Sequence, residues 1–235
     1  MRKAIALIEL IFAIVVIAIT LLAVPNLLSL SKSTSDSAIT QESISSAASQ
    51  VALIMSQYWD EVDSDINYDS PILYVDNGDS ELNEANDTNG NLLGRRVGSN
   101  KDTPRRFGVD INGNKLKASN TLGIDANDNN IKDDIDDFNG QVYNLVLHEP
   151  SSTEVGEFKD INISIATKIN YISDKVNYAI QNITFNNPFK YSSSKSTNIK
   201  AISVTITSPN DSNKKIVLKA FSCNIGASKL REKSF

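Results

Sequence analysis

The stretch from Asp125 to Asp137 contains the residues whose types and spacing best fit a metal site. Oxygen-bearing side chains recur at alternate positions there, as they do in the calcium loop of an EF-hand. On that pattern the ligand positions fall on Asp125, Asn127, Asn129, Ile131 (through its carbonyl), Asp133 and Asp136. Because Ca²⁺ is a hard ion that prefers oxygen ligands, we predict a structural calcium site in this loop. The alternative is a solvated loop rich in Asn and Asp.

Residue combinations typical of catalysis are not found in the sequence. His148 is the only histidine and Cys223 the only cysteine, and neither belongs to a nucleophile, zinc or phosphate-binding motif. His148 is better interpreted as a polar residue at a strand end, and Cys223 as a small hydrophobic residue. We therefore predict that the protein is not an enzyme.

Glu9 lies in a run that is otherwise apolar from Ala4 to Val24, apart from one threonine. About 20 apolar residues suffice to cross a bilayer, and the two basic residues ahead of the run favour a cytoplasmic N-terminus. An ionised carboxylate in hydrocarbon costs about 2 to 3 kcal/mol or more unless it finds a partner. Residues 5–25 are therefore predicted to span the membrane, and Glu9 requires a functional explanation.

The order of residues around Glu9 resembles the N-terminal signature of type IV pilins and of type II secretion pseudopilins. A short basic leader is followed by the small residue Ala4, and Glu9 is fifth in the chain that begins at Ile5. In that family a prepilin peptidase removes the leader and the new N-terminus is methylated. The resemblance implies a leader over residues 1–4, cleavage between Ala4 and Ile5, and methylation of Ile5.

The resemblance also implies a role for Glu9 in assembly. Cleavage would free an α-amino group on Ile5, and such groups have an ordinary pKa of about 8. The Glu9 carboxylate of an incoming subunit can pair with the Ile5 amine of its neighbour. That pair is worth much more in hydrocarbon than in water, where single charges are well solvated.

Two other interpretations of the N-terminal segment stay open: a secretory signal peptide and a plain signal anchor. Signal peptides have an apolar core of roughly 7 to 15 residues and a small-x-small cleavage site, whereas this run is longer. A plain anchor would give the chain a different function. It would then be a single-pass, membrane-anchored, calcium-dependent binding module that does not polymerise.

Charge is distributed unevenly along the 235 residues, whose overall net charge is −5. Residues 1–59 are neutral, residues 60–160 carry a net charge of −13, and residues 161–235 carry +8. An acidic chain without a clustered basic surface is a poor partner for nucleic acid, so none is expected. The opposite charges can attract each other within one domain or between neighbouring copies.

Hydrophobic periodicity predicts a long helix over residues 5–59. The second half of this helix is mostly polar, but apolar residues recur in it at spacings of three and four, which is typical of one buried helix face. The members of this stripe are Ile44, Ala47, Ala48, Val51, Ile54, Met55 and Tyr58. Pro25 is expected to kink or loosen the helix. The C-terminal half of this helix is predicted to pack against a sheet.

Residues 60–140 form an acidic, loop-rich region with short strand candidates at 71–75 and 91–97. Residues 141–235 alternate as antiparallel strands do, at 141–148 and 161–172 and in a hairpin of 200–207 and 214–222 with its turn at 208–213. Residues 174–183 fit a short helix or a strand. The predicted fold class is α+β, with a long N-terminal helix on an antiparallel sheet and an insert rich in Asn and Asp.

Together these features favour a structural subunit, as the resemblance implies. The prediction is a pseudopilin or pilin, most consistent with a minor subunit because of its bulky insert. It would be anchored in the bacterial inner membrane with a periplasmic domain before joining a type IV pilus or a secretion pseudopilus. Its partners would be other pilin-like subunits, the prepilin peptidase and an inner-membrane assembly platform.

Overall fold

A computed structural model describes residues 2–64, 70–102, 104–124, 131–150, 158–178, 180–183, 187–208 and 211–227, with the side chains of the first helix described from residue 7. The helices are α1 (Arg2–Met55) and α2 (Glu61–Ser64). The strands are β1 (Glu84–Asn86), β2 (Leu92–Arg96), β3 (Val142–Pro150), β4 (Phe158–Ile172), β5 (Ser192–Ser193), β6 (Ile199–Ser208) and β7 (Asp211–Cys223). One long helix and an antiparallel sheet confirm the α+β class.

The main sheet has the strand order β3-β4-β6-β7, all antiparallel, with β5 paired to β4. Its inner face is lined by β-branched residues that recur at every second position, and Ile165 lies opposite Ile206 in register. The predicted strands 141–148 and 161–172 are therefore confirmed. The predicted hairpin is also confirmed, and its arms extend further into the expected turn, because Ser208 pairs with Asp211.

The inner face of the sheet is covered by the C-terminal half of α1. Ala47 and Ile54 are completely buried there, and Val51 packs against the same core. The buried face of the helix is rotated from the predicted stripe towards Ser43 and Gln50, which are buried and half-buried. The prediction was wrong for the other four members of the stripe, which are exposed: Ile44, Ala48, Met55 and Tyr58. Small residues on the buried face allow the helix to approach the sheet closely.

Helix α1 ends at Met55 instead of the predicted residue 59. Its last turn tightens, because the backbone N–H of Gln57 donates to the Ile54 carbonyl and the Ser56 hydroxyl donates to the Leu53 carbonyl. The chain then turns inward, and Trp59 is buried with its indole N–H directed at the Ser222 carbonyl. The helix thus stops where burying Trp59 requires the chain to leave the helix axis.

The acidic middle region packs on the same core as the sheet. Leu73, Ala118, Ile135 and Phe138 are buried with the isoleucines of β4 and β6. The predicted strand 91–97 is confirmed as β2. Residues 71–75 instead form only single-residue bridges, and the described part of 174–183 lies in neither a helix nor a strand.

A buried network of amide groups joins the middle region to the end of the sheet. The Asn224 side chain accepts from the Leu73 N–H at 2.9 Å and donates to the Leu73 carbonyl at 2.7 Å. Arg96 donates to the side chain of Asn198 at 2.6 Å and to the Asn224 carbonyl at 2.8 Å. Hydrogen bonds from the side chains of Asn224 and Arg96 thus join the two regions.

We predict that Ile54→Ala lowers the free energy of unfolding by about 2 to 5 kcal/mol, because it leaves a cavity between α1 and the sheet. The matched control is Leu53→Ala, whose side chain is 48% exposed and should cost less than about 1 kcal/mol. Urea unfolding of the full chain in detergent, followed by the fluorescence of Trp59, measures both. Equal losses would contradict the packing of α1 described here.

Candidate functional site

The first half of α1 exposes an unbroken apolar surface. Every large hydrophobic side chain from Leu7 to Leu30 is 46% to 75% exposed. Among the described residues, α1 contains the one segment long and apolar enough to cross a membrane. So much exposed apolar surface is unfavourable in water, and a bilayer or neighbouring helices would cover it. The structure therefore fits a single-pass membrane anchor.

The predicted processing and assembly residues lie at the start of this helix. Ala4 and Ile5 have helical backbone, and the Glu9 side chain is exposed among apolar neighbours. Because Ala4, Ile5 and Glu9 fall on the first turns of one helix, a free amine on Ile5 would stand one turn from the carboxylate at position 9. The exposed carboxylate is open to contact from another molecule.

Thr20, within the apolar run, and Pro25, just after it, are both accommodated within the helix. The Thr20 hydroxyl donates to the Ile17 carbonyl at 2.8 Å, which satisfies it without water. Pro25 lies inside α1, and the helix continues past it to Met55. The membrane-spanning half and the sheet-packing half thus belong to one helix.

The predicted calcium ligands are only partly described. Asp125, Asn127 and Asn129 lie outside the described residues. The Ile131 side chain is 61% exposed, Asp133 is half-buried and Asp136 is buried. The Asp136 carboxylate contacts the Lys200 ammonium and would have to leave it in order to bind a metal ion. In the described ranges, no three acidic, His or Cys side chains are grouped as metal ligands. The calcium site remains a prediction.

In two loops with the same Asp-x-Asn spacing, the aspartate accepts hydrogen bonds from its own loop. In residues 87–91 and 110–114 the sequence is Asp-x-Asn-Gly-Asn. Asp87 accepts from the backbone N–H groups of Asn89 and Asn91, each at 2.8 Å, and from the Asn91 side chain at 2.9 Å. Residues 110–114 repeat these bonds. Asp125-Ala-Asn-Asp-Asn129 has the same spacing, with Asp in the place of Gly.

The most unusual polar feature of the described chain is a buried charge cluster around Lys200. The Nζ atom of Lys200 donates to the Trp59 carbonyl at 2.6 Å, to Oδ2 of Asp60 at 3.1 Å and to Oδ1 of Asp136. It also lies 4.4 Å from the centroid of a Trp59 ring and 5.5 Å from that of Tyr171. The Lys200 and Asp60 side chains are 0% exposed.

Burial shifts the pKa values of the ionisable groups in this cluster. Burial raises the pKa of Asp134 to about 8, and the nearby Asp136 charge adds to that effect. Burial likewise raises the pKa of Asp136 to about 7, although Lys200 acts in the opposite direction. Burial alone would lower the pKa of Lys200, but the carboxylates of Asp60 and Asp136 outweigh it and raise that pKa. Three carboxyl groups therefore share one cation.

The alternation of residues around Lys200 predicts part of this cluster, although none of the functional motifs considered above includes Lys200. Lys200 is in phase with Ile202, Val204 and Ile206 in an alternating strand, so it must point to the buried face. A charge on a buried face requires a charged or polar partner. The identity of the partners could not be read in the same way, because Asp60 and Asp136 come from distant loops.

Comparisons of the chain with protein-family models, with curated proteins and with solved structures gave no match.

We predict that Lys200→Met lowers the free energy of unfolding by about 3 to 5 kcal/mol, since it leaves buried carboxylates without their cation. Lys168→Met is the matched control on the exposed face of β4 and should change stability by less than about 0.5 kcal/mol. Denaturant unfolding of both variants measures the difference. A loss under 1 kcal/mol for Lys200→Met would mean that the carboxyl groups take up protons or meet solvent once Lys200 is removed.

Hydrogen bonds in the Asp87 turn, above all from the Asn91 side chain, lower the pKa of that carboxyl. We predict that Asn91→Ala raises this pKa towards its ordinary value. Asp110, held by Asn114 in the same way, is the internal control and should not change. A lowered pKa adds stability above the unfolded-state value of about 4, and this stability is lost as the pH falls through the folded-state value. NMR titration of the carboxyl carbons reads both sites.

Proposed function

We propose that the protein is a structural pilin-like subunit that is processed after Ala4 and assembled through α1 into a type IV pilus or a secretion pseudopilus. The observation that carries the proposal is the exposed Glu9 in the apolar first half of the same helix that packs on the sheet. A simple anchor needs no carboxylate in hydrocarbon, whereas an assembling helix can use one.

The assembly step follows from the energetic cost of an isolated charge in the membrane. A subunit whose Glu9 is unpaired in lipid is stabilised when this carboxylate pairs with the cationic N-terminus of a neighbour. Once Ile5 is the first residue, its amine supplies that cation. Because donor and acceptor are separated by about one helical turn, the pair also sets the axial offset between neighbouring helices.

The part of α1 beyond the apolar run also supports assembly. Beyond the apolar run, Ile44 and Met55 are 38% and 50% exposed, and Leu53 is 48% exposed. Ile44 and Met55 lie on one flank of the face that meets the sheet, and Leu53 lies on the other flank. In a filament these apolar side chains would pack against the helices of neighbouring subunits beside the sheet-packing face.

The remaining parts of the proposal depend on the processing step. The globular part would lie in the periplasm, and the protein would meet a prepilin peptidase and an inner-membrane assembly platform before joining other pilin-like subunits. Its loop-rich middle region is bulky beside the stem. We infer a minor subunit, because bulky loops hinder repeated close packing.

The test is the mass of the N-terminal peptide from protein purified from its native membrane, combined with variants of Glu9. We expect the peptide to begin at methylated Ile5. We also expect Glu9→Gln to remain membrane-bound and processed but to be about thirtyfold depleted from the filament fraction, which corresponds to about 2 kcal/mol.

The control is Glu42→Gln, which removes an exposed carboxylate on the same helix beyond the apolar run and should assemble normally. An N-terminal peptide that still begins at Met1 would contradict the proposal and favour the anchored binding module. Normal assembly of Glu9→Gln would contradict the pairing step alone.

A further inference from the structure

The Lys200 cluster places a nucleophile, an electrophile and a proton carrier in contact. The Lys200 Nζ atom touches the Asp136 carboxylate, and its second carboxylate neighbour is Asp60, with Oδ2 at 3.1 Å. The side chains of Lys200, Asp60 and Asp136 are 0%, 0% and 5% exposed. An amine and a carboxyl group held together away from bulk solvent are the reactants of an amide bond.

We propose that Lys200 and Asp136 form an intramolecular isopeptide bond between Nζ and Cγ, with Asp60 as the residue that transfers the protons. Asp60 suits that role because the backbone N–H of Ser119 donates to its carboxylate at 3.1 Å and fixes it as an acceptor. Asp136, whose carboxylate contacts the amine itself, supplies the carbon that is attacked.

The reaction needs no further reactant. The Lys200 ammonium gives a proton to Asp60, which passes it to the Asp136 carboxylate, so that a neutral amine faces a neutral acid. Burial favours this transfer because neither charge is solvated there, whereas the paired carboxylates favour the ammonium, so the neutral pair is the minor form from which the reaction proceeds. The nitrogen lone pair then attacks Cγ and the C–N bond forms. A second proton moves from nitrogen through Asp60 to the hydroxyl oxygen of Asp136, the C–O bond breaks, and one water molecule leaves.

The surroundings fit the product as well as the reactants. The amide keeps one N–H, and the Trp59 carbonyl, at 2.6 Å from Nζ, is placed to accept it. The rings of Trp59 and Tyr171 flank the nitrogen and keep out the water that would hydrolyse the bond. After the reaction Asp60 is again a carboxylate, so the cluster no longer buries a cation among competing acids.

The bond would join the acidic middle region to a central strand of the sheet. Asp136 begins the 3₁₀ helix Asp136–Phe138, and Lys200 lies in β6 between two other strands. A chain with one cysteine cannot form an internal disulfide, so this cross-link would be a covalent closure of another kind. It would also withdraw Asp136 from the calcium ligands predicted from the sequence.

The intact mass of the purified, folded full chain in detergent tests the proposal. We expect a mass lower by one water molecule than the mass calculated from the sequence with the N-terminal residue and N-methylation determined on the same sample. A tryptic digest should contain one branched peptide that joins Lys200 to Asp136, with no cleavage after Lys200. Protein kept in denaturant from synthesis should have the full mass and should lose water only when it refolds.

Three variants locate the chemistry. Lys200→Arg keeps the charge but removes the amine, and Asp136→Ala removes the carbon that is attacked, so each should have its full mass. Asp60→Asn keeps both reactants and should form the bond at least tenfold more slowly during refolding. Lys168→Arg, on the exposed face of β4, is the control and should lose water as the wild type does.

A folded wild-type protein at its full mass, cleaved by trypsin after Lys200, would overturn the proposal whatever the variants do. A water loss that persists in Lys200→Arg would also overturn it, because another residue would then be responsible. Resistance of the wild type to limited proteolysis shows that the sample is folded, so a full mass cannot be ascribed to unfolding.

Discussion

Burial of the inner face of the sheet is the constraint on which the rest of the structure depends. Ile163, Ile165 and Ile202 are at most 5% exposed, and a sheet of this kind must cover such a face. The C-terminal half of α1 covers one part and the middle region covers another, so neither is an independent unit. The apolar first half of α1 has no such cover in the described part of the chain, which leaves it for a membrane or for other subunits.

The acidic middle and the basic end of the chain meet in the same core. Lys200 belongs to the basic end of the chain, whereas Asp60 and Asp136 belong to its acidic middle. At this point, the opposite charges attract within the domain and not between copies. A single buried cation among three carboxyl groups is electrostatically costly, since desolvation penalises every ionised form. Conversion of one ion pair into an amide would remove that cost and would leave the fold covalently closed.

The stem and the globular part have different mechanical roles in the proposed filament. One helix continues from the apolar run into the core, so a force on the assembled stem would reach the sheet directly through residues such as Ala47 and Ile54. A cross-link from β6 to the middle region would then hold the loop-rich part in place. Assembly would thus depend on Glu9 and on the exposed apolar side chains of α1. Resistance to unfolding would depend on the buried cluster around Lys200.

The sequence by itself determined the elements whose signal is local. The apolar run around Glu9, strands β3, β4, β6 and β7, and the inward direction of Lys200 all follow from residue type and periodicity. Only the tertiary structure decided which face of α1 meets the sheet, because Ala47 and Ala48 are equally apolar and packing buries only the first. It also decided that the helix ends at Met55 so that Trp59 can be buried, and that Asp60 and Asp136 meet Lys200. Contacts between residues far apart in the chain depend on how the whole core closes, and no local pattern encodes them.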